Sequence, residues 1–331
     1  MIEYVITVGP ASRPLSTLMQ LIEQGATILR LNFSHGTHEW YTELFRDIVM
    51  LKAQYPHIKI LADISGPSLR ILTPAEATVA IKNGDLLTFS KDPADYRLTL
   101  DVLDQLPVES KLIFGEGYGT ARIIERTGEK VILQCEGNFE VKNKMHLHTN
   151  AHLKSEAITE KDWKDLAFVL DKPIDLVALS FIQDSKPIIT VKEYLNQHDK
   201  KVLLMSKIET QAAVDNIDEI TTHSDMLMVA RGDLALEAEL VELPDNQERI
   251  INAGRKQQKP VIVATQMLFS MVKNPMPTRA EINDIALAIR QGASGLMLSD
   301  ETTVGEHPTK ALNYLKQISE ASLARMVTSH R

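Results

Sequence analysis

The chain has 331 residues, more than one core usually organises except in large barrels, which run to about 250 residues as one domain. Its 44% hydrophobic and 24% charged residues are an ordinary globular balance, and a formal net charge of −8 argues against nucleic-acid binding, which needs clustered Lys and Arg. The single cysteine, Cys135, excludes an intramolecular disulfide and a cysteine-based zinc site, and reads as a small buried hydrophobe in a cytoplasmic protein.

The chain opens on an apolar stretch, residues 4–8, too short for a signal-peptide core and without its basic flank. No run approaches the roughly 18–20 apolar residues of a membrane span, so no membrane partner is expected. That stretch is instead the first of eight strand-like runs, at 4–8, 27–33, 58–64, 175–181, 201–208, 226–230, 261–265 and 295–298. Each is almost continuously apolar, the pattern of strands buried on both faces. Amphipathic helical patterns alternate with them, at 15–24, 39–54, 160–170, 186–196, 211–222, 245–257, 279–291 and 308–323. Thr278, with Glu281 three residues on, is a capping box that starts the seventh helix. Alternation at this count predicts an α/β fold, a (β/α)8 TIM barrel, with an open doubly wound sheet as the alternative.

The rhythm breaks between 71 and 150. Short strands at 77–81, 86–90, 112–114, 119–125 and 130–136, with turn residues at 83–85, 115–119 and 127–129, predict a small all-β domain inserted after barrel strand 3. The expected organisation is barrel over 1–70, insertion over 71–150 and barrel again over 151–331. An insertion there sits over the C-terminal mouth, where barrel enzymes carry their sites, and reads as a lid.

Polar residues close the apolar strands. Alternation puts Arg30, Asn32 and Ser34 on one face of the second strand, and Lys207 and Glu209 on one face of the fifth. Asp233 ends the sixth strand, so two carboxylates stand on neighbouring strand ends, enough for Mg²⁺. Gly232 beside it lets the backbone approach an anion closely. Asp63, Thr265, Ser299 and Glu301 end further strands. A cation, a lysine, hydroxyls and amides at one rim suit a phosphoryl or enolate site.

In order along nearly the whole chain, these residues resemble the pyruvate kinase family. The match runs through Thr7-Val8-Gly9-Pro10-Ala11-Ser12, Arg30 to Gly36, Asp63 with Gly66-Pro67 and Arg70, Ser206-Lys207-Ile208-Glu209, Met228 to Leu234, Ala264-Thr265-Gln266-Met267, Asn274-Pro275, Pro277 to Glu281, and Leu298-Ser299 with Glu301-Thr302. The resemblance implies Glu209 and Asp233 as ligands of Mg²⁺ (or Mn²⁺), and Lys207 as the charge that stabilises the transferring phosphoryl group and the enolate. It implies Thr265 lining the substrate pocket near the face where the enolate is protonated. It places the substrate carboxylate on the amides of Gly232 and Asp233, and the transferring phosphate on Arg30. It implies a monovalent-cation (K⁺) site of Asn32, Ser34, Asp63 and the Ile64 carbonyl, and nucleotide contacts from Pro10, Arg30, Asn32, His35, Arg70 and Lys144. The reaction implied moves phosphate from phosphoenolpyruvate to ADP.

Departures from the family pattern cluster on the nucleotide side. Ser65 and Ser68 stand at positions tied to phosphate and potassium use, Asp300 and Ala235 replace glycines, and the insertion leaves through Lys144-Met145-His146-Leu147-His148-Thr149-Asn150. The family's C-terminal effector-binding domain has no counterpart in this sequence, so a monomer or dimer is expected rather than a tetramer. Two alternatives stay open: the same metal–enolate site acting on another 2-oxo acid, as a decarboxylase, aldolase or lyase, and a non-catalytic family member.

Overall fold

In the computed structural model, which describes residues 2–149, 151, 153 and 156–329, eight parallel strands close into a barrel. They are β1 (Glu3–Thr7), β2 (Ile28–Asn32), β3 (Lys59–Ile64), β4 (Leu176–Leu179), β5 (Leu203–Ile208), β6 (Met226–Ala230), β7 (Val261–Ala264) and β8 (Gly295–Leu298). Each pairs with its neighbours in chain order, and β1 meets β8 to close the ring. Thr302 hydrogen-bonds both ways across that seam, its Oγ1 accepting from the Thr7 amide at 3.1 Å and donating to the Thr7 carbonyl at 2.9 Å.

Strand alternation divides the apolar residues into two cores. Val5, Ile28, Leu61, Ala178, Met205, Met228, Ile262 and Met297 fill the barrel interior. Side chains of the other parity face outward to the helices, where Leu18, Leu21 and Ile22 of the helix Leu15–Glu23 are buried. Each such side chain contributes about 1.5–3 kcal/mol on burial, so the ring of helices and the strands stabilise each other. The seventh helix, Arg279–Gln291, has both hydrogen bonds of its capping box, and Gly292 ends it in the left-handed region.

The segment after β3 builds separate sheets. Five antiparallel strands run in the order Leu147–Thr149, Lys111–Phe114, Gly119–Thr127, Lys130–Glu136, Leu86–Phe89, flanked by the pairs Val79–Ile81 with Phe139–Val141 and Ile71–Leu72 with Arg97–Leu98. They enclose their own apolar cluster around Phe89, Phe114 and Leu133. Cys135 is buried there, and burial, then Asp85, pushes its thiol up to about 11.

Several expectations change in detail. The first strand expected in the insertion begins two residues late, because Pro74–Glu76 forms a 3₁₀ turn, and a second such turn spans Leu103–Gln105. Asn150, the expected end of the insertion, lies outside the described residues. β4 stops at Leu179, and Phe181 turns into the left-handed region at φ 53°. The fifth helix is two, Gln211–Asp215 and Ile217–His223, split at Asn216, whose side chain donates to the Gln183 carbonyl instead. β6 passes directly into a helix, Arg231–Glu237, so Arg231-Gly232-Asp233 forms a first helical turn rather than a loop.

Candidate active site

The parity that fills the barrel with Ile28, Leu61, Ala178 and Met205 continues upward to Arg30, Asp63, Ser180 and Lys207, and those four form one bonded network. Arg30 Nε donates to Asp63 Oδ2 at 2.6 Å and its Nη1 to Thr7 Oγ1 at 3.0 Å. Lys207 Nζ donates to Ser180 Oγ at 2.8 Å and lies 3.4 Å from Asp63 Oδ1. Ser180 in turn donates to the Ile64 carbonyl at 2.7 Å. Gly66 brings the β3 loop onto this point: its φ is +66°, and a Cβ there would lie 2.5 Å from the Ser180 carbonyl oxygen.

Glu209 completes the network. Its Oε2 accepts from the Phe181 amide at 2.6 Å, which the left-handed turn at Phe181 makes possible. Its Oε1 lies 2.8 Å from Lys207 Nζ, yet that buried oxygen receives no hydrogen bond, so the contact is an ion pair without a directed bond. Burial disfavours the Lys207 charge, but Asp63 and Glu209 outweigh it and raise its proton affinity. Burial also opposes ionisation of Asp63, and Lys207 with Arg30 outweighs it and holds the carboxyl below its usual range. Glu209 goes the other way: burial, with the charge of Asp233 added, pushes it up to about 7 despite Lys207. A completely buried carboxylate oxygen that receives no directed hydrogen bond, on a group that feels the charge of a second carboxylate, fits a bound cation.

Asp233 stands at the centre of the mouth. Its charge acts on Glu209, Arg70, His146, Glu116 and Glu237, which belong to the barrel and the inserted segment alike. The amide of Gly232 beside it donates to Thr265 Oγ1 at 2.7 Å, and that hydroxyl donates to the Ala264 carbonyl. Thr265 sits just past β7 with φ 70°, and Arg231 supports it, donating to the Thr265 carbonyl at 2.7 Å while pairing with Asp284 at 2.6 Å.

The expected nucleotide residues gather less tightly. Arg70 donates to the Lys144 carbonyl at 2.9 Å, which joins those two positions through backbone. Loss of surrounding water, then the charges of Arg70 and Arg30, pushes His35 down, so it shares their neighbourhood. Pro10 lies exposed in the turn after β1. The oxygens expected to hold a monovalent cation are largely engaged: Asn32 Oδ1 accepts from the Ser34 amide at 3.2 Å, and Asp63 and the Ile64 carbonyl have the partners given above. The Lys161 ammonium lies alongside, donating to the Phe33 carbonyl at 2.7 Å and Ser65 Oγ at 3.1 Å.

Reading the sequence missed Ser180, Arg231 and Lys161. Ser180 carried a signal, since it follows Leu176 and Ala178 at the inward parity. Arg231 and Lys161 carried none, because their roles depend on contacts with Asp284, Phe33 and Ser65, remote in sequence. Beside the network, between barrel and insertion, lies a cavity of ≈ 400 Å³ lined by Pro67, Leu69, Phe181, Thr210 and Glu237 among others.

The family model for the pyruvate kinase barrel domain matches residues 2–312. The chain belongs to the pyruvate kinase family. It is 35% identical to the pyruvate kinase of Geobacillus stearothermophilus, covering 95% of this chain and 56% of that one. It is 34% identical to the Clostridium perfringens enzyme, covering 97% and 70%. The crystal structure of a pyruvate kinase from Cryptosporidium parvum superimposes with a TM-score of 0.91 at 27% identity, covering 97% of this chain and 69% of that one. The chain thus spans little more than half the length of several curated pyruvate kinases it matches. Among the described residues, no helix is long and apolar enough to cross a membrane.

Proposed function

We propose that the chain transfers the phosphoryl group of phosphoenolpyruvate to ADP, with 71–150 acting as a lid domain over a barrel of 1–70 and 151–331. The observation that carries this reading is the buried Glu209, whose Oε1 meets only the Lys207 ammonium and receives no directed hydrogen bond while the charge of Asp233 acts on it. Glu209 and Asp233 would hold Mg²⁺, which when bound supplies positive charge to the phosphoryl oxygens. Lys207 neutralises the same group from below, and Arg30, pinned at Nε and Nη1, keeps its remaining terminal nitrogen for a phosphate oxygen. The P–O bond to the enol oxygen breaks as a bond to the β-phosphate oxygen of ADP forms, and the electron pair stays on the enolate. The Lys207 ammonium stabilises that enolate. Carbon 3 then takes a proton from a solvent water on the side lined by Thr265, and the hydroxide released is neutralised by bulk solvent. The Gly232 and Asp233 amides would receive the substrate carboxylate, which would take the place of Thr265 Oγ1 on the Gly232 N–H. Catalysis of this kind is positioning and charge neutralisation. A coupled assay with phosphoenolpyruvate, ADP and Mg²⁺ should show turnover that Glu209→Gln abolishes; turnover no higher than background overturns the reading.

One observation favours a second reading, a metal–enolate enzyme acting on another 2-oxo acid. Burial, then Asp300 and Asp233, raises the proton affinity of Glu116, so carboxylates crowd the side where an anionic nucleotide would enter. Mg²⁺-dependent exchange of solvent deuterium into the methyl group of pyruvate, with no nucleotide-dependent turnover, would select this reading.

A further inference from the structure

We propose that His146, His148 and Asp233 form a second metal site, for a dication of the Zn²⁺ or Co²⁺ class, at the seam between the inserted segment and the barrel. One ligand atom from each lies within 4.8 Å of the other two. A tetrahedral ion with ligands at about 2.1 Å sets them about 3.4 Å apart, so closure needs shifts of about an ångström. Strand alternation puts both histidines on one face, and their rings lie nearly parallel, 18° apart with centroids at 6.0 Å. Asp233 comes from the helix that leaves β6.

His148 is held as metal-ligating histidines are. It is buried, and its Nδ1 lies 2.9 Å from Glu237 Oε1, one helical turn beyond Asp233. That carboxylate fixes the ring and leaves Nε2 for an ion. Two imidazoles with a carboxylate suit Zn²⁺, Co²⁺ or Ni²⁺, whereas Mg²⁺ prefers an all-oxygen shell. An ion here would tie the insertion to the barrel. It would also draw Asp233 away from Mg²⁺, a consequence that rests on the catalytic reading above, whereas the binding itself does not.

The test is a titration of the full chain with Co²⁺ in the absence of substrates, followed by visible absorption. One Co²⁺ should bind per chain and give the intensified bands of a four- or five-coordinate ion. His146→Ala and His148→Gln should each weaken binding at least tenfold, and Glu237→Gln by about tenfold to a hundredfold. Glu209→Gln should leave the bands in place, which separates this site from the proposed Mg²⁺ site whatever the activity. Circular dichroism checks each fold, and half-buried His146 decides the matter if the His148 variant unfolds. Absence of Co²⁺ binding overturns the proposal. So does binding that Glu209→Gln abolishes and His146→Ala leaves unchanged.

Discussion

A single ammonium organises the floor of the site. Lys207 touches Ser180, Asp63 and Glu209, and two of those partners are buried carboxylates. Removing one member of a buried charge cluster leaves the others uncompensated, at about 3–5 kcal/mol. Lys207→Met, close in length but without charge, is expected to lower the unfolding free energy by about that amount. Urea denaturation measures it, and an unchanged midpoint would mean that the ammonium does not hold Asp63 and Glu209. The same variant should lower kcat by about 10²–10³, the usual effect of losing one electrostatic contact to a developing oxyanion. The charged members of this cluster were legible in the sequence one by one, whereas Ser180 was missed. Lys207 and Glu209 follow Met205 at an inward parity, and a charged pair continuing an apolar interior face has nowhere to go but the barrel mouth. Which carboxylate takes the hydrogen bonds and which is left short was not legible, because that depends on the left-handed turn at Phe181.

The elements that leave the strands decide how firmly the rim is held. After β7, Ser270 donates from its amide to Glu281 Oε1 at 2.7 Å and from its hydroxyl to Oε2 at 2.6 Å, while Glu281 also closes the capping box with Thr278. The box was readable from Thr278 and Glu281, but the tie to Ser270 was not. Partial burial opposes the Glu281 charge, and its bonds to Ser270 and Thr278 outweigh that and hold it below its usual range. A depressed folded-state value means stability that is fully present above about pH 4.5 and lost as pH falls through the lower folded value. Glu281→Ala is therefore expected to cost about 1–2 kcal/mol at pH 7, with the gap to the parent protein narrowing in acid. Denaturation midpoints at pH 7 and in the acid range check it, and a gap that widens in acid contradicts the assignment. After β6, the helical turn 231–233 escaped the sequence reading because Arg-Gly-Asp carries no helix-start signal of its own. Arg231 stabilises it from outside, through Asp284 and the Thr265 carbonyl. Arg231→Met frees Thr265 to leave its positive φ, so kcat should fall by about 10²-fold, the scale of an ångström misplacement. Mg²⁺ affinity should change little, since neither Glu209 nor Asp233 loses a partner; comparing kcat with metal affinity separates the two.

Across the whole molecule, the two halves of the mouth differ in charge. The barrel floor carries Arg30 and Lys207 in balance with Asp63 and Glu209. The entry between barrel and insertion gathers Asp233, Asp300, Glu116 and Glu237, opposed chiefly by Arg70. Asp300 belongs to this group through its position beyond β8, where its charge acts on both His35 and Glu116. A nucleoside diphosphate arriving there carries two to three negative charges. Each unit charge at about 10 Å through water costs about 0.4 kcal/mol against one carboxylate, so one such group weakens nucleotide binding by about 1 kcal/mol, roughly fivefold in KM. Asp300→Asn is thus expected to lower KM for ADP by about that factor at low ionic strength. KM for phosphoenolpyruvate, which on the proposed reading binds deeper against Lys207 and Arg30, should move less. Salt supplies the internal check, because an interaction over about 10 Å is largely screened near 0.1 M. Raising the ionic strength should bring the two ADP curves together, because the contribution of Asp300 is the part that differs between them and it is screened away. A fivefold difference that survives high salt would locate the effect of Asp300 in direct contact with the nucleotide rather than in the field of the mouth. Equal KM values at low salt would mean that the Asp300 charge does not reach the bound nucleotide, and would overturn this reading of the mouth.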